Sequence, residues 1–182
     1  KMKLYQMADP VRYARMTTAE LRETFLLEDL FTPGQLDCAY VDLDRTVIGS
    51  AVPTSAPLTC PTSPELRAEY FLERRELGIF NAGGPGSVTV DGAKFDLARM
   101  DVLYAGRGSK SVVFSSADPA SPAAFYLLSY QAHTAYPTAL AKFAGLKGLE
   151  LGAPETCNKR TIYKAIFRDG ILLGQNAGAL PA

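Results

Sequence analysis

The stretch from Tyr70 to Ser115, YFLERRELGIFNAGGPGSVTVDGAKFDLARMDVLYAGRGSKSVVFSS, constrains the fold more than any other part of the chain. Apolar and polar residues alternate in short bursts, and glycine-containing turns interrupt them. That pattern predicts an antiparallel sheet whose two faces see different surroundings. The clearest unit is Ser87–Val88–Thr89–Val90, then Asp91–Gly92, then Ala93–Lys94–Phe95. An Asp-Gly pair between β-prone runs marks a type I′ hairpin, because both central positions need positive φ. Strands are expected near 66–73, 76–82, 87–90, 93–97, 100–104 and 110–115, with Gly83–Gly84–Pro85–Gly86 and Gly106–Arg107–Gly108 as turns.

The flanks extend the pattern. Residues 2–16 lack a period and read as an extended arm. Thr17–Thr18–Ala19–Glu20 offers a capping box for a short helix to about Leu30, which Pro33–Gly34 ends. Cys38 to Val47 alternates as one strand, and the proline-rich run 50–64 is an edge or surface connection. Ala124 to Tyr130 is apolar and aromatic enough for a strand buried on both faces. Residues 138–152 read as a loop with one helical turn, and Lys159 to Phe167 as a last strand. Many short strands with glycine turns and one small helix define an all-β jelly roll, either a sandwich or a barrel.

Composition narrows the function classes. Lys plus Arg equals Asp plus Glu at 19 each, which favours neither nucleic acid nor an acidic membrane surface. No apolar run approaches the roughly 20 residues of a membrane span, and no leader pattern opens the chain, so a cytoplasmic location is expected. Cys38, Cys60 and Cys157 are scattered and odd in number, as expected of reduced thiols. A single histidine, His133, cannot supply a His-rich metal site. Gly106–Arg107–Gly108–Ser109–Lys110 lacks phosphate-loop spacing and precedes a strand, so it reads as a turn.

Several blocks carry a specific resemblance: LRETFLLEDLF at 21–31, DLDRTVIG at 42–49, YFLERRELGIFNAGG at 70–84, DVLYAGRGSKSVVF at 101–114, AHTAYPT at 132–138 and NKRTIYK at 158–164. Together they resemble the 5-keto-4-deoxyuronate isomerase family, in family order. The resemblance implies a cupin-like jelly-roll barrel, the first of two in a chain that assembles as a homohexamer. It further implies a ketol isomerisation in pectin and uronate catabolism, yielding 3-deoxy-D-glycero-2,5-hexodiulosonate. Zinc is implied in the second barrel, held by a His-x-His pair, a glutamate and a later histidine. On this reading 1–35 form the arm and short helix, 36–168 a metal-free first barrel, and 169–182 a tail where an absent or truncated second barrel would begin.

Isomerisation of this type needs a base that moves a proton between adjacent carbons and an electrophile for the enediolate. Tyr70–Phe71–Leu72 is expected where a metal-holding first barrel would carry His-x-His, so no metal and no catalytic residue is assigned to this chain. Glu73–Arg74–Arg75–Glu76 reads as a solvated or inter-subunit charged face. Arg160, Lys159 and His133 are the candidates for meeting a uronate, through its carboxylate for the basic pair. The bland alternatives are surface positions for the pair and a hydrogen-bonded structural histidine for His133. Two other readings remain open: a truncated stand-alone cupin-like domain with a binding or assembly role and no catalysis, or a sugar-binding barrel that stacks ligands on Tyr104, Tyr126, Tyr130 and Tyr136. A chain alone with its docking surface bare is expected to form a homo-oligomer.

Overall fold

The structure, a computed structural model, describes residues 2–166. The elements in order are β1 (Lys3–Tyr5), α1 (Pro10–Tyr13), α2 (Thr18–Phe25), β2 (Leu36–Val41), β3 (Thr46–Ala51), β4 (Leu58–Thr59), β5 (Arg75–Asn81), β6 (Gly86–Val90), β7 (Ala93–Leu97), β8 (Val102–Ala105), β9 (Val112–Ser116), β10 (Phe125–Gln131), β11 (Ala139–Ala141), β12 (Gly148–Leu151) and β13 (Arg160–Tyr163). Among the described residues no helix is long and apolar enough to cross a membrane.

Strand order identifies the fold. One sheet runs β1-β2-β3-β10-β5-β8-β11 and a second runs β4-β9-β6-β7. From β3 to β10 the chain passes back and forth between the sheets so that β3-β10-β5-β8 face β4-β9-β6-β7, the winding of an eight-stranded jelly roll of the cupin type. No ladder joins the two sheets among the described residues, so the expected barrel is an open two-sheet sandwich. β12 and β13 pair only with each other.

Alternation along the strands builds the core. Leu77 and Ile79 of β5, Phe125 and Leu127 of β10, and Leu103 of β8 point inward with Val88, Val90, Val112 and Phe114 of the second sheet. Phe114 and Phe125 meet with ring centroids 5.5 Å apart, a tilted contact that adds about 0.5–1.5 kcal/mol beyond burial. Asn81 ties the turns to this core. Its Nδ2 donates to the carbonyls of Gly84, Leu97 and Ala98, and its Oδ1 accepts from Gly83 and Ala124.

The hairpin stands as the sequence predicts. Asp91 and Gly92 have φ of 48° and 85°, and Val90 pairs with Ala93 across the turn. The capping box also forms, with Thr17 N donating to Glu20 Oε2 over 2.7 Å and Glu20 N to Thr17 Oγ1 over 3.3 Å. Elsewhere the local reading is corrected. The helix stops at Phe25 rather than Leu30, because Leu26 is already extended, and a second short helix, α1, lies in the arm behind an Asp9 cap. The arm also adds β1, parallel to β2.

The single strand expected over Cys38–Val47 is two strands, because Asp44 and Arg45 take φ of 53° and 51° and reverse the chain. Residues 66–73 are the end of a 3₁₀ turn over Pro64–Leu66 and the turns and bends that lead into β5, and 138–152 holds β11 and β12 besides one 3₁₀ turn. The last strand is confined to Arg160–Tyr163 among the described residues, and the expected tail at 169–182 lies outside them.

Candidate functional site

The run Glu73–Arg74–Arg75–Glu76 does not form one solvated face. Glu73 and Arg74 remain partly exposed and paired at 3.4 Å, whereas Arg75 is 4% exposed and Glu76 1%. The cause is β5, the strand that starts at Arg75 in the middle of the large sheet. Successive side chains on it point to opposite faces, so one ionisable group goes inward and its neighbour outward.

Arg75 turns to the inner face. Its Nε donates to Ser129 Oγ over 3.1 Å, and its Nη2 to the carbonyls of Ser129 and Arg45, each over 2.7 Å. Burial pushes its pKa down to about 10, still cationic at neutral pH. A planar guanidinium can reach three acceptors on two elements, which a lysine could not. Arg75 therefore ties β10 to the turn between β2 and β3.

Glu76 turns outward and accepts a hydrogen bond from the Tyr104 hydroxyl, 2.8 Å from its Oε2. Burial raises the Glu76 pKa to about 7, although the Tyr104 bond favours the charged form. Burial and the adjacent carboxyl also push the Tyr104 phenol up. Glu76 lies opposite Tyr130 in the β5–β10 register, and Tyr104 opposite Gly78 and Ala139. Tyr104 floors a cavity of about 340 Å³ whose other walls include Val102, Leu140, Lys142, Leu146 and Lys164. A carboxyl poised near neutrality beside a phenol can accept or release a proton in the physiological range.

A segment over this pair joins β10 to β11. Arg107 holds its start, with Nη1 donating to the carbonyls of Ala132 and His133 over 3.0 Å each. At Gly106 the segment comes so close that a Cβ would lie 1.9 Å from the Tyr136 carbonyl oxygen. The Gly106–Arg107–Gly108 turn thus positions a loop 25 or more residues away in sequence.

The candidates named from the sequence stand apart from this pair. His133 is exposed, and its backbone carbonyl accepts from Arg107 Nη1 over 3.0 Å. Lys159 and Arg160 are exposed at the start of β13, where Arg160 Nη1 donates to the Asn158 carbonyl over 3.2 Å. Among the described residues no hydrogen bond or ion pair joins any two of Arg160, Lys159 and His133. Leu72 is fully buried in the core beneath a turn, and its carbonyl accepts from Gly108 N over 2.8 Å. Tyr70–Phe71–Leu72 is therefore not a stretch of barrel strand.

Among the described residues no three His, Cys, Asp or Glu side chains gather where they could hold a metal ion, so the zinc that the resemblance implies has no ligand set among them. The cysteines are free, and burial pushes Cys38 up to about 12 and Cys60 well above its ordinary value. Tyr104, at 2% exposure, offers no face for sugar stacking. A larger cleft of about 450 Å³ opens between β1 and the 61–64 loop, and it contains none of the candidates.

Sequence signals for the Glu76–Tyr104 pair are weak. Only the strand alternation that places Glu76 and Gly78 on one face, with Tyr104 opposite Gly78 from a strand well downstream, could have suggested it.

No family model matches the chain. Among solved structures, protein Ylba from E. coli is 15% identical, covers 68% of this chain and 52% of that one, and gives a TM-score of 0.48. A cupin protein from Bacteroides fragilis is 16% identical over 61% of this chain and 92% of that one, with a TM-score of 0.39. Such scores carry no weight here, and the fold rests on strand order. Curated sequences are far more similar. Proteins named 4-deoxy-L-threo-5-hexosulose-uronate ketol-isomerase from Formosa agariphila, Kineococcus radiotolerans and Shouchella clausii are 49%, 47% and 46% identical over 160, 165 and 162 residues. These matches cover 88–89% of this chain, and the chain spans 57–59% of the length of those relatives. Identity of that level along nearly the whole chain shows that it belongs to the family of the 4-deoxy-L-threo-5-hexosulose-uronate ketol-isomerases.

Proposed function

We propose that this chain is the scaffold portion of a ketol-isomerase acting on 4-deoxy-L-threo-5-hexosulose-uronate in uronate breakdown. The carrying observation is the 43–49% identity to proteins of that name over about nine-tenths of the chain. Nothing in the fold favours a stand-alone binding module over this reading. The described residues offer a jelly-roll sandwich and a buried proton-carrying pair, but no ligand set for zinc. The metal and the electrophilic part of the chemistry are accordingly assigned to sequence outside them. Arg160, Lys159 and His133 are the proposed contacts for the uronate, being exposed groups of the right chemistry. A homohexamer in the cytoplasm completes the proposal.

The test compares the 182-residue chain with the same chain joined to the remaining length of one of its relatives. Zinc content and isomerisation of the uronate are measured on both. Activity and stoichiometric zinc only in the longer protein are expected. Turnover by the 182 residues alone would overturn the assignment of the chemistry.

A further inference from the structure

We infer that Glu76 and Tyr104 form a proton-controlled latch under the segment 132–138, closed while the Glu76 carboxyl is neutral and released when it ionises.

The geometry supplies the three parts of such a device. The first is a carboxyl that is 1% exposed on the outer face of the large sheet and has one side-chain partner, the Tyr104 hydroxyl at 2.8 Å. The second is a cover. Within 132–138 the backbone of Tyr136 packs against Gly106, one residue along the ladder from the Leu77–Ala105 pair and so beside Glu76. The third is a pair of anchors that hold the two ends of the cover. Arg107 grips the carbonyls of Ala132 and His133 at one end, and β11 pairs with β8 at the other through Ala139 and Tyr104.

The groups facing Glu76 contain no counter-charge. From β8 comes Tyr104, from β10 Tyr130, and from the cover Tyr136, which lies close enough to raise the Tyr104 phenol. Arg75, next on β5, points to the other face and is spent on Ser129 and the Arg45 carbonyl. Arg107 gives its guanidinium to the carbonyls of Glu73, Ala132 and His133. Lys142 and Lys164 line the cavity that Tyr104 also lines, Lys142 pairs with Asp101 at 3.0 Å, and no cation contributes to the Glu76 shift. None of the ion pairs among the described residues includes Glu76. A carboxylate formed there has one donor and no cation, and water is its remaining source of solvation. Lifting the cover admits that water.

The sign follows from linkage. The closed-state pKa is raised to about 7 from an ordinary 4.5. Closure therefore has its full stability below the lower value and loses it as pH rises through the higher one. The latch rests on contacts within this chain and stands or falls separately from the isomerase reading.

Amide hydrogen exchange tests it, with residues 132–141 followed at about pH 5.5 and about pH 8 after correction for intrinsic exchange. The expected result is that the wild type loses about tenfold or more protection in this segment between the two conditions, while Glu76→Gln keeps its protection. Equal behaviour of the wild type and Glu76→Gln would overturn the latch. A carbon-detected titration of Glu76 in the wild type is a second test that needs no variant. A midpoint near neutrality that coincides with the exchange transition supports the proposal, and an ordinary carboxylate midpoint refutes it.

Discussion

Arg75 and Glu76 are adjacent in sequence, both nearly fully buried, and bonded on opposite faces of one sheet, the first to Ser129 and the second to Tyr104. The arrangement separates an ion that keeps its charge from one that gives it up. Arg75 has three oxygen acceptors and stays cationic, whereas Glu76 has one neutral donor and is held near its neutral form.

Arg75→Ala is expected to be strongly destabilising, by about 3 kcal/mol, because it strands the buried carbonyl and hydroxyl of Ser129 and also loses the part-buried bond to the Arg45 carbonyl. Arg75→Lys should recover only part of this, since an ammonium cannot match the fork. Urea unfolding of the two variants measures the difference. Equal stability of wild type and Arg75→Ala would show that the three bonds contribute nothing.

Global stability should fall as pH rises from about 4.5 to about 7 in the wild type, because the folded Glu76 pKa is raised. Full ionisation of a group shifted this far costs about 3 kcal/mol. Glu76→Gln should flatten that portion of the pH profile in denaturant titrations. A wild-type profile that rises across this window would contradict the burial of an unpaired carboxyl.

Gly106→Ala is expected to cost about 1–3 kcal/mol, since its Cβ would sit 1.9 Å from the backbone oxygen of Tyr136 and force the covering segment away. Gly145→Ala meets nothing within 4 Å and has no positive φ, so it serves as the neutral comparison. Thermal unfolding of the pair separates close approach from a general sensitivity to added methyl groups.

Asp91 does more than turn the hairpin. Its Oδ1 accepts from Lys110 N over 2.8 Å and Ser111 N over 2.9 Å, pinning the entry to β9. Asp91→Asn keeps one acceptor and the tolerance for positive φ, and should cost less than about 1 kcal/mol. Asp91→Ala loses both and should cost about 2 kcal/mol. Chemical denaturation distinguishes them, and equal losses would assign the effect to the carboxylate charge that both variants lack rather than to φ.

The hairpin at Asp91–Gly92, the Thr17 capping box and most strands from β5 to β10 were legible in the sequence, because each is a local matter. Positive φ, a side chain reaching three residues, and an alternation of period two are settled within a few positions. The break at Asp44–Arg45 was not, since neither residue advertises left-handed backbone as glycine does. Nor was the open sandwich, which depends on which strand edges meet.

The charged run at 73–76 shows the division most clearly. By itself the sequence determined that a strand begins close to Glu76, and the charge of the run made it read as one solvated or inter-subunit face. Only the tertiary structure decided that Arg75 and Glu76 are buried, because their partners arrive from Ser129, 54 residues on, and Tyr104, 28 residues on. A charge is tolerated inside a protein when distant chain brings it a partner, and the local sequence carries no record of that partner.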